Sequence, residues 1–222
     1  MTMQIIACPG QGSQTAGFLV PWLSEVEGFR AVMEKLSLAS DLDLVSLGTT
    51  ADDAEIKDTA IAQPLIVASS IAAHRTLFRD SPIAGVLGHS VGEFAAAAIA
   101  GIISDEEAIR LVAIRARAMA KAAAEHPTSM AAILGGDPTE VMLAVGALGL
   151  EIANHNGAGQ LVAAGDKSKI AALIASPPAR TRVIELKVAG AFHTSYMEPA
   201  RLELNEAVAQ VAVTNPIMKL WS

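Results

Sequence analysis

The sequence predicts an α/β protein: a large domain with a mainly parallel sheet flanked by helices, and a small α+β insert. Three observations predict it. Of the 222 residues, 52% are hydrophobic and only 18% charged, which supplies a sizeable core for one large domain. Short Val/Ile/Leu runs lead into Gly-containing loops and then into helical patterns, the strand–turn–helix order of α/β folds. After His126-Pro127 the pattern changes to shorter strands and helices in the order βαββαβ.

Gln4–Cys8 reads as a short buried strand, closed by Pro9-Gly10-Gln11-Gly12-Ser13. A helix is expected over about 18–39, and the acidic run from Asp52 to Asp58 reads as a short exposed helix. Pro64 takes the place of a first helical residue, with apolar positions continuing to about Phe78. Ile83–Leu87 is a second strand, running into Gly88-His89-Ser90-Val91-Gly92-Glu93 and a small-residue helix that ends near Gly101. Ser104 with Glu107 forms a capping box, so a long helix starts at Asp105 and reaches about Ala124.

In the insert, strands are expected at Ser129–Leu134, Leu150–Asn154, Gln160–Ala164 and Arg182–Val188, with helices at Pro138–Leu148 and Lys167–Ala175. That order is the split βαβ arrangement of a ferredoxin-like unit. The expected division is a large α/β domain over 1–125 and 189–222 and a small ferredoxin-like domain over 126–188. Ile217–Trp221 reads as a strand of the large domain.

Bulk properties exclude several classes. Mean hydropathy is +0.42, yet the longest apolar-rich stretch, Ile61–Leu77, contains Gln63, Pro64, His74 and Arg75. Crossing the hydrocarbon takes roughly 20 mostly apolar residues, so no membrane span is expected. Met1–Cys8 is too short and uncharged for a signal peptide. One cysteine, Cys8, excludes an internal disulfide and a multi-thiolate metal site, and a cytoplasmic setting fits. A net charge of −7 argues against nucleic acid.

Gly88-x-Ser90-x-Gly92 is the segment that carries chemistry. A serine nucleophile on so sharp a strand-to-helix turn needs small neighbours, because Cβ atoms would strike the turn or the helix. Ala95–Ala98 let that helix approach the sheet, and its N-terminus aims N–H groups at the reacting centre. The plain alternative is a βα turn with a serine cap. A serine nucleophile also needs a base. Of five histidines, His193 is preferred, lying in the Gly190-Ala191-Phe192-His193-Thr194 loop where the chain returns to the large domain. His155 is a rival, and His74 beside Arg75 reads as a surface residue.

Arg115 points to a substrate class. Its helical neighbours are Leu111, Val112, Ala118 and Met119. A guanidinium on such an apolar stripe snorkels, joins a structural ion pair, or meets a carboxylate brought by a ligand. Arg110, beside Glu106 and Glu107, reads as an ordinary surface pair.

Taken together, Pro9-Gly10-Gln11-Gly12-Ser13-Gln14, Gln63-Pro64, Gly88–Glu93, Arg115 with Met119, Asn154-His155-Asn156-Gly157 and Phe192-His193 resemble one family. It is the malonyl-CoA:acyl carrier protein transacylases and the related acyltransferase domains of polyketide synthases. The match spans the whole chain. The resemblance implies Ser90 as nucleophile, His193 as base, and an oxyanion hole from the backbone N–H groups of Gln11 and Val91. It implies that Arg115 forks onto the malonyl carboxylate, with Met119, Phe192 and Asn154 also at the substrate. Val91 and Phe192 look like the malonyl-selective members, where methylmalonyl-selective relatives tend to carry glutamine and serine.

The implied reaction passes malonyl from malonyl-CoA to Ser90 and then to the phosphopantetheine thiol of acyl carrier protein, in fatty acid biosynthesis. The expected partners are malonyl-CoA and acyl carrier protein, with no metal or redox cofactor, no nucleic acid, no membrane, and a monomeric state. Members of the family continue beyond the point where this sequence stops, and the further segment is expected to orient the histidine through a backbone carbonyl. The alternatives are a polyketide synthase or malonate-processing acyltransferase domain, a serine hydrolase, and a non-enzymatic carrier-binding module.

Overall fold

A computed structural model describes residues 4–79 and 81–221. The first three residues and the last of the expected large domain lie outside that set. In chain order the elements begin β1 (Gln4–Cys8), α1 (Val20–Glu25), α2 (Phe29–Ser40), α3 (Leu44–Thr49), α4 (Thr59–Ala73), β2 (Ile83–Gly88), α5 (Gly92–Ile99) and α6 (Asp105–Glu125). They continue β3 (Thr128–Gly135), α7 (Pro138–Ala147), β4 (Glu151–Gly157), β5 (Gln160–Asp166), α8 (Lys167–Ala175), β6 (Thr181–Leu186), α9 (Glu198–Val208) and β7 (Lys219–Trp221). The chain divides into two compact units, Met1–Arg117 with Glu203–Ser222, and Ala118–Leu202. The second takes in the whole expected insert.

In the first unit β1, β2 and β7 make a parallel sheet in that order. Its core is α4, where residues 62–68 are all buried. A helix apolar on every side is stable only when surrounded. Ala95, Ala96 and Ala98 of α5 have no exposed surface, and α5 packs on both α4 and β2. Ser104 caps α6 through the N–H of Glu107 at 3.1 Å, as its sequence predicts.

Several expectations need correction. The helix expected over 18–39 is two helices, broken at Gly28, whose φ of 78° belongs to the left-handed region. Pro64 is not the first residue of its helix. Asp58 caps the true start by accepting from the N–H of Ala60, and Pro64 lies inside the helix, where it removes one backbone hydrogen bond. The run 52–58 holds only a 3₁₀ turn at Glu55–Lys57, with Ile56 buried. Strand β1 is less buried than expected, with Ile5 55% exposed. The short α3 and the polar α9 carry weak patterns and were not expected at all.

His74 is the largest departure. It is buried, in a π-helical turn that follows α4. Its Nδ1 accepts from Arg75 at 3.2 Å, and the same guanidinium donates to both carboxylate oxygens of Asp105 and to the carbonyl of Ala98. Arg75 therefore ties the end of α4 to the end of α5 and the start of α6. Burial first, and then the Arg75 charge, hold the His74 imidazole below its ordinary value of 6.5, with Asp105 opposing.

In the second unit β3 pairs antiparallel with both β5 and β6, and β4 with β5, giving the order β4-β5-β3-β6. The expected βαββαβ succession is present. Asp137 and Asp166 each cap a helix by accepting from two backbone N–H groups. Ala131, Ile133, Val141, Leu161, Ile170 and Leu173 share one apolar cluster between sheet and helices.

Arg75→Ala is expected to lower the unfolding free energy by about 1–3 kcal/mol, because it orphans a carboxylate and a carbonyl, as read by urea titration. The folded protein holds a proton on His74 less readily than the unfolded chain, whose imidazole charges below its ordinary pKa of 6.5. Stability therefore falls as pH drops through about 6.5, and His74→Gln removes that part of the slope.

Candidate active site

Cys8 at the end of β1 is in register with Gly88 at the end of β2. The two loops that follow thus leave the sheet side by side, at the carboxyl ends of parallel strands where α/β proteins bind ligands. The N–H of His89 donates to the carbonyl of Cys8 at 3.0 Å. A Cβ on Gly92 would collide with the carbonyls of Cys8 and Pro9, and one on Gly88 with the backbone of Gly92 and Glu93. Both glycines are there because backbone occupies the space.

Ser90 stands at the apex with φ 53°, a left-handed backbone in a residue that has a Cβ. That conformation costs roughly 1–2 kcal/mol and persists because the turn is pinned on both sides. Gly92 N–H bonds back to His89 and Glu93 N–H to Ser90, at 3.0 and 3.1 Å. Val91 then opens α5 as its N-cap and is fully buried in the core.

On the loop after β1, Gln14 is buried and holds the turn from within. Its Oε1 accepts from Gly12 N–H at 2.9 Å and its Nε2 donates to the carbonyl of Ile56 at 2.9 Å. The Ser13 hydroxyl donates to the carbonyl of Gly10. Cys8, beneath the loop, is a buried free thiol pushed up by burial to about 12.

Arg115 reaches this corner from α6. Its Nη2 lies 3.5 Å from the Ser90 hydroxyl and its Nη1 donates to Gln63 Oε1 at 2.6 Å. Gln63 Nε2 donates to Gln11 Oε1, and Gln11 Nε2 to Thr59 Oγ1, both at 3.2 Å. Burial pulls the guanidinium down from 12.5 to about 10, opposed only by the charge of Glu93, so it remains a cation near neutral pH. Among the described residues no ion pair includes Arg115. Arg110, by contrast, pairs with Glu107 at 2.8 Å, as expected.

The structure therefore brings Ser90, Arg115 and Gln11 together within the first unit. Gln63, which links Arg115 to Gln11, and Thr59, which accepts from Gln11, carried no sequence signal beyond the Gln63-Pro64 pair. Val91 belongs to the first unit as well, and the remaining expected site residues belong to the second. Phe192 and Met119 share one buried cluster with Met130, Ala191 and Met197. His193 follows Phe192, is exposed, and has φ 60°, a left-handed backbone like that of Ser90. Asn154 lies on β4 opposite Val162.

The fold is thus that of an α/β protein with a serine held in strain after the end of a parallel strand, beside a half-buried arginine. The sequence pattern of the acyl transferase domain family matches residues 6–222. The malonyl CoA-acyl carrier protein transacylase of Mycobacterium bovis is 50% identical over 99% of this chain and 74% of its own length. The crystal structure of MCAT from Mycobacterium tuberculosis superposes with a TM-score of 0.94 at 49% identity, over 100% of this chain and 74% of that one. A malonyl-transacylase solved in complex with a type II polyketide synthase acyl-carrier protein superposes with a TM-score of 0.89 at 27% identity, over 99% and 74%. The chain belongs to the acyl transferase domain family and, within it, to the malonyl CoA-acyl carrier protein transacylases.

Three substitutions test the geometry of the turn. Ser90→Gly should be more stable than Ser90→Ala by about 1 kcal/mol, since only glycine accepts the left-handed backbone without cost. Gly92→Ala should cost more than about 2 kcal/mol, because the new methyl meets carbonyl oxygens that cannot retreat. Urea unfolding of the three variants and the parent reads both differences.

Proposed function

We propose that the protein transfers malonyl from malonyl-CoA to the phosphopantetheine thiol of acyl carrier protein, through a malonyl ester on Ser90. The observation that carries this is Arg115: a half-buried cation, hydrogen-bonded to an amide and close to the candidate nucleophile, whose own ion pair is missing among the described residues. A guanidinium fork matches a carboxylate with two parallel hydrogen bonds. An acyl group that ends in a carboxylate supplies the charge. The names of the relatives support the same substrate, and the solved complex supports an acyl carrier protein as acceptor.

In this reading the turn at Ser90 is a nucleophile elbow, and the antiparallel sheet with α7 and α8 is a ferredoxin-like domain, supported by its β4-β5-β3-β6 order. The Ser90 hydroxyl adds to the thioester carbonyl as His193 accepts its proton. Backbone N–H groups of Gln11 and Val91 hold the negative oxygen, a contribution typically about 3–4 kcal/mol for each donor. The C–S bond breaks, the coenzyme A thiolate leaves with the proton from His193, and malonyl remains as the ester. The carrier's thiol, deprotonated by His193, then adds to that ester, and the C–O bond breaks to return Ser90 its proton.

The chemistry moves an acyl group and a proton, so the reading calls for no metal or redox cofactor. Met119, Phe192 and Asn154 are assigned to substrate binding in this reading, and the bulk of Phe192 disfavours an α-methyl group. A cytoplasmic, monomeric enzyme completes the reading. No described helix is long and apolar enough to cross a membrane.

Mass spectrometry of the intact protein after mixing with malonyl-CoA should show one malonyl group, mapped to Ser90 and absent from Ser90→Ala. Arg115→Ala should slow malonyl loading by roughly tenfold to a hundredfold, the worth of a charged hydrogen-bonded pair, while sparing acetyl loading. An unlabelled Ser90 in the folded protein would sink the proposal. An Arg115→Ala protein that loads malonyl at the parental rate would leave only a serine esterase.

A further inference from the structure

The hydrogen bonds that end at Arg115 all run one way. Arginine has only N–H donors, so Gln63 must turn its carbonyl oxygen toward Nη1, as it does at 2.6 Å. That leaves the Gln63 NH₂ facing Gln11, which must in turn present its oxygen, at 3.2 Å. The Gln11 NH₂ then faces away, and it needs an acceptor. Thr59 Oγ1 is that acceptor, at 3.2 Å, on a side chain 1% exposed in the first turn of α4. Each amide has two orientations; the donor-only cation at one end selects a single orientation for both, and the Thr59 hydroxyl at the other end completes the chain by accepting.

We infer that Thr59 is a positioning residue that acts through Gln11 and Gln63 to fix the Arg115 guanidinium, and so sets the preference for carboxylate-bearing acyl groups. The inference rests on the proposed role of Arg115 and extends it to a residue that touches neither substrate nor nucleophile. Without the hydroxyl, the half-buried Gln11 NH₂ has no acceptor at Thr59. The side chain gains by swinging that NH₂ toward water, which takes its oxygen away from the Gln63 NH₂. Gln63 then loses one of the contacts that hold its carbonyl oxygen on Arg115 Nη1. The arginine is left free to swing off the line that a carboxylate requires.

The backbone of the Gln11 loop does not depend on this chain. Gln14 holds Gly12 N–H and the carbonyl of Ile56, and Ser13 holds Gly10. Loss of the Thr59 hydroxyl should therefore act on the acyl carboxylate rather than on the thioester carbonyl. The signature is a change of selectivity, which a general loosening of the fold would not produce.

The test is the rate of Ser90 loading from malonyl-CoA and from acetyl-CoA, in the full chain and in Thr59→Val, which keeps shape and removes the acceptor. The malonyl-to-acetyl ratio should fall about three- to tenfold, the worth of one neutral hydrogen bond. Thr59→Ser, which restores the acceptor, should bring the ratio back to within about twofold of the parent. In the background of Arg115→Ala, Thr59→Val should change the ratio no further. Gln11→Met keeps the backbone N–H and cuts the chain one link nearer. It should reproduce the fall, and it decides the matter if Thr59→Val does not fold. A parental ratio in either Thr59→Val or Gln11→Met overturns the inference, as does a fall that Thr59→Ser fails to repair. If Arg115→Ala itself keeps the parental ratio, the reading of Arg115 fails. If only Arg115→Ala loses it, Arg115 stands and Thr59 has no part.

Discussion

The contact between the Arg115 guanidinium and Gln63, with Ser90 beyond it, organises the candidate site. Taking a cation out of water costs several kcal/mol unless a counter-charge follows it in. Elsewhere this protein meets that cost directly, as Arg75 does with Asp105. At Arg115 it uses a neutral amide, and among the described residues no carboxylate closes the pair. A neutral partner holds the guanidinium in place without saturating it. The fork thus keeps capacity for an anion, and under the proposed function that capacity becomes affinity for one class of acyl group.

The position of that cation follows from the fold. Three helices deliver the side chains: α4 brings Thr59 and Gln63, α6 brings Arg115, and α5 begins just after Ser90. They can meet only because small residues allow close approach. Gly88 and Gly92 let the elbow press against the end of β1, and the alanines of α5 let that helix lie on α4 and β2. At the far ends of the same helices, Arg75 joins the turn after α4 to Ala98 and Asp105. The apolar core sets the distances, and polar ties at both ends limit sliding. Ser90 carries the remaining strain in its own backbone.

Much of this was legible in the sequence, wherever one local rule dominates. Ser104 and Glu107 mark the start of α6, the glycines around Ser90 mark a tight turn between strand and helix, and βαββαβ periodicity marks the second unit. Reading failed where two rules compete. Pro64 suggests a helix start, but the cap at Asp58 and burial of the whole α4 overrule it. Gly28 interrupts an otherwise continuous pattern because it adopts a left-handed φ. His74 next to Arg75 looks polar and exposed, and only the distant Asp105 makes its burial affordable. Arg115 could be singled out because a charge on an apolar stripe is anomalous by itself. Thr59 and Gln63 could not, since a threonine near a helix start and a glutamine before a proline are ordinary. Their meaning lies in contacts about 50 positions away in the chain.

The most direct test of this account is a crystal structure of the protein with malonyl trapped on Ser90. Both carboxylate oxygens should lie within about 3 Å of the Arg115 guanidinium, with Nη1 still bonded to Gln63. A malonyl carboxylate turned into solvent, with Arg115 directed to another acceptor, would contradict it.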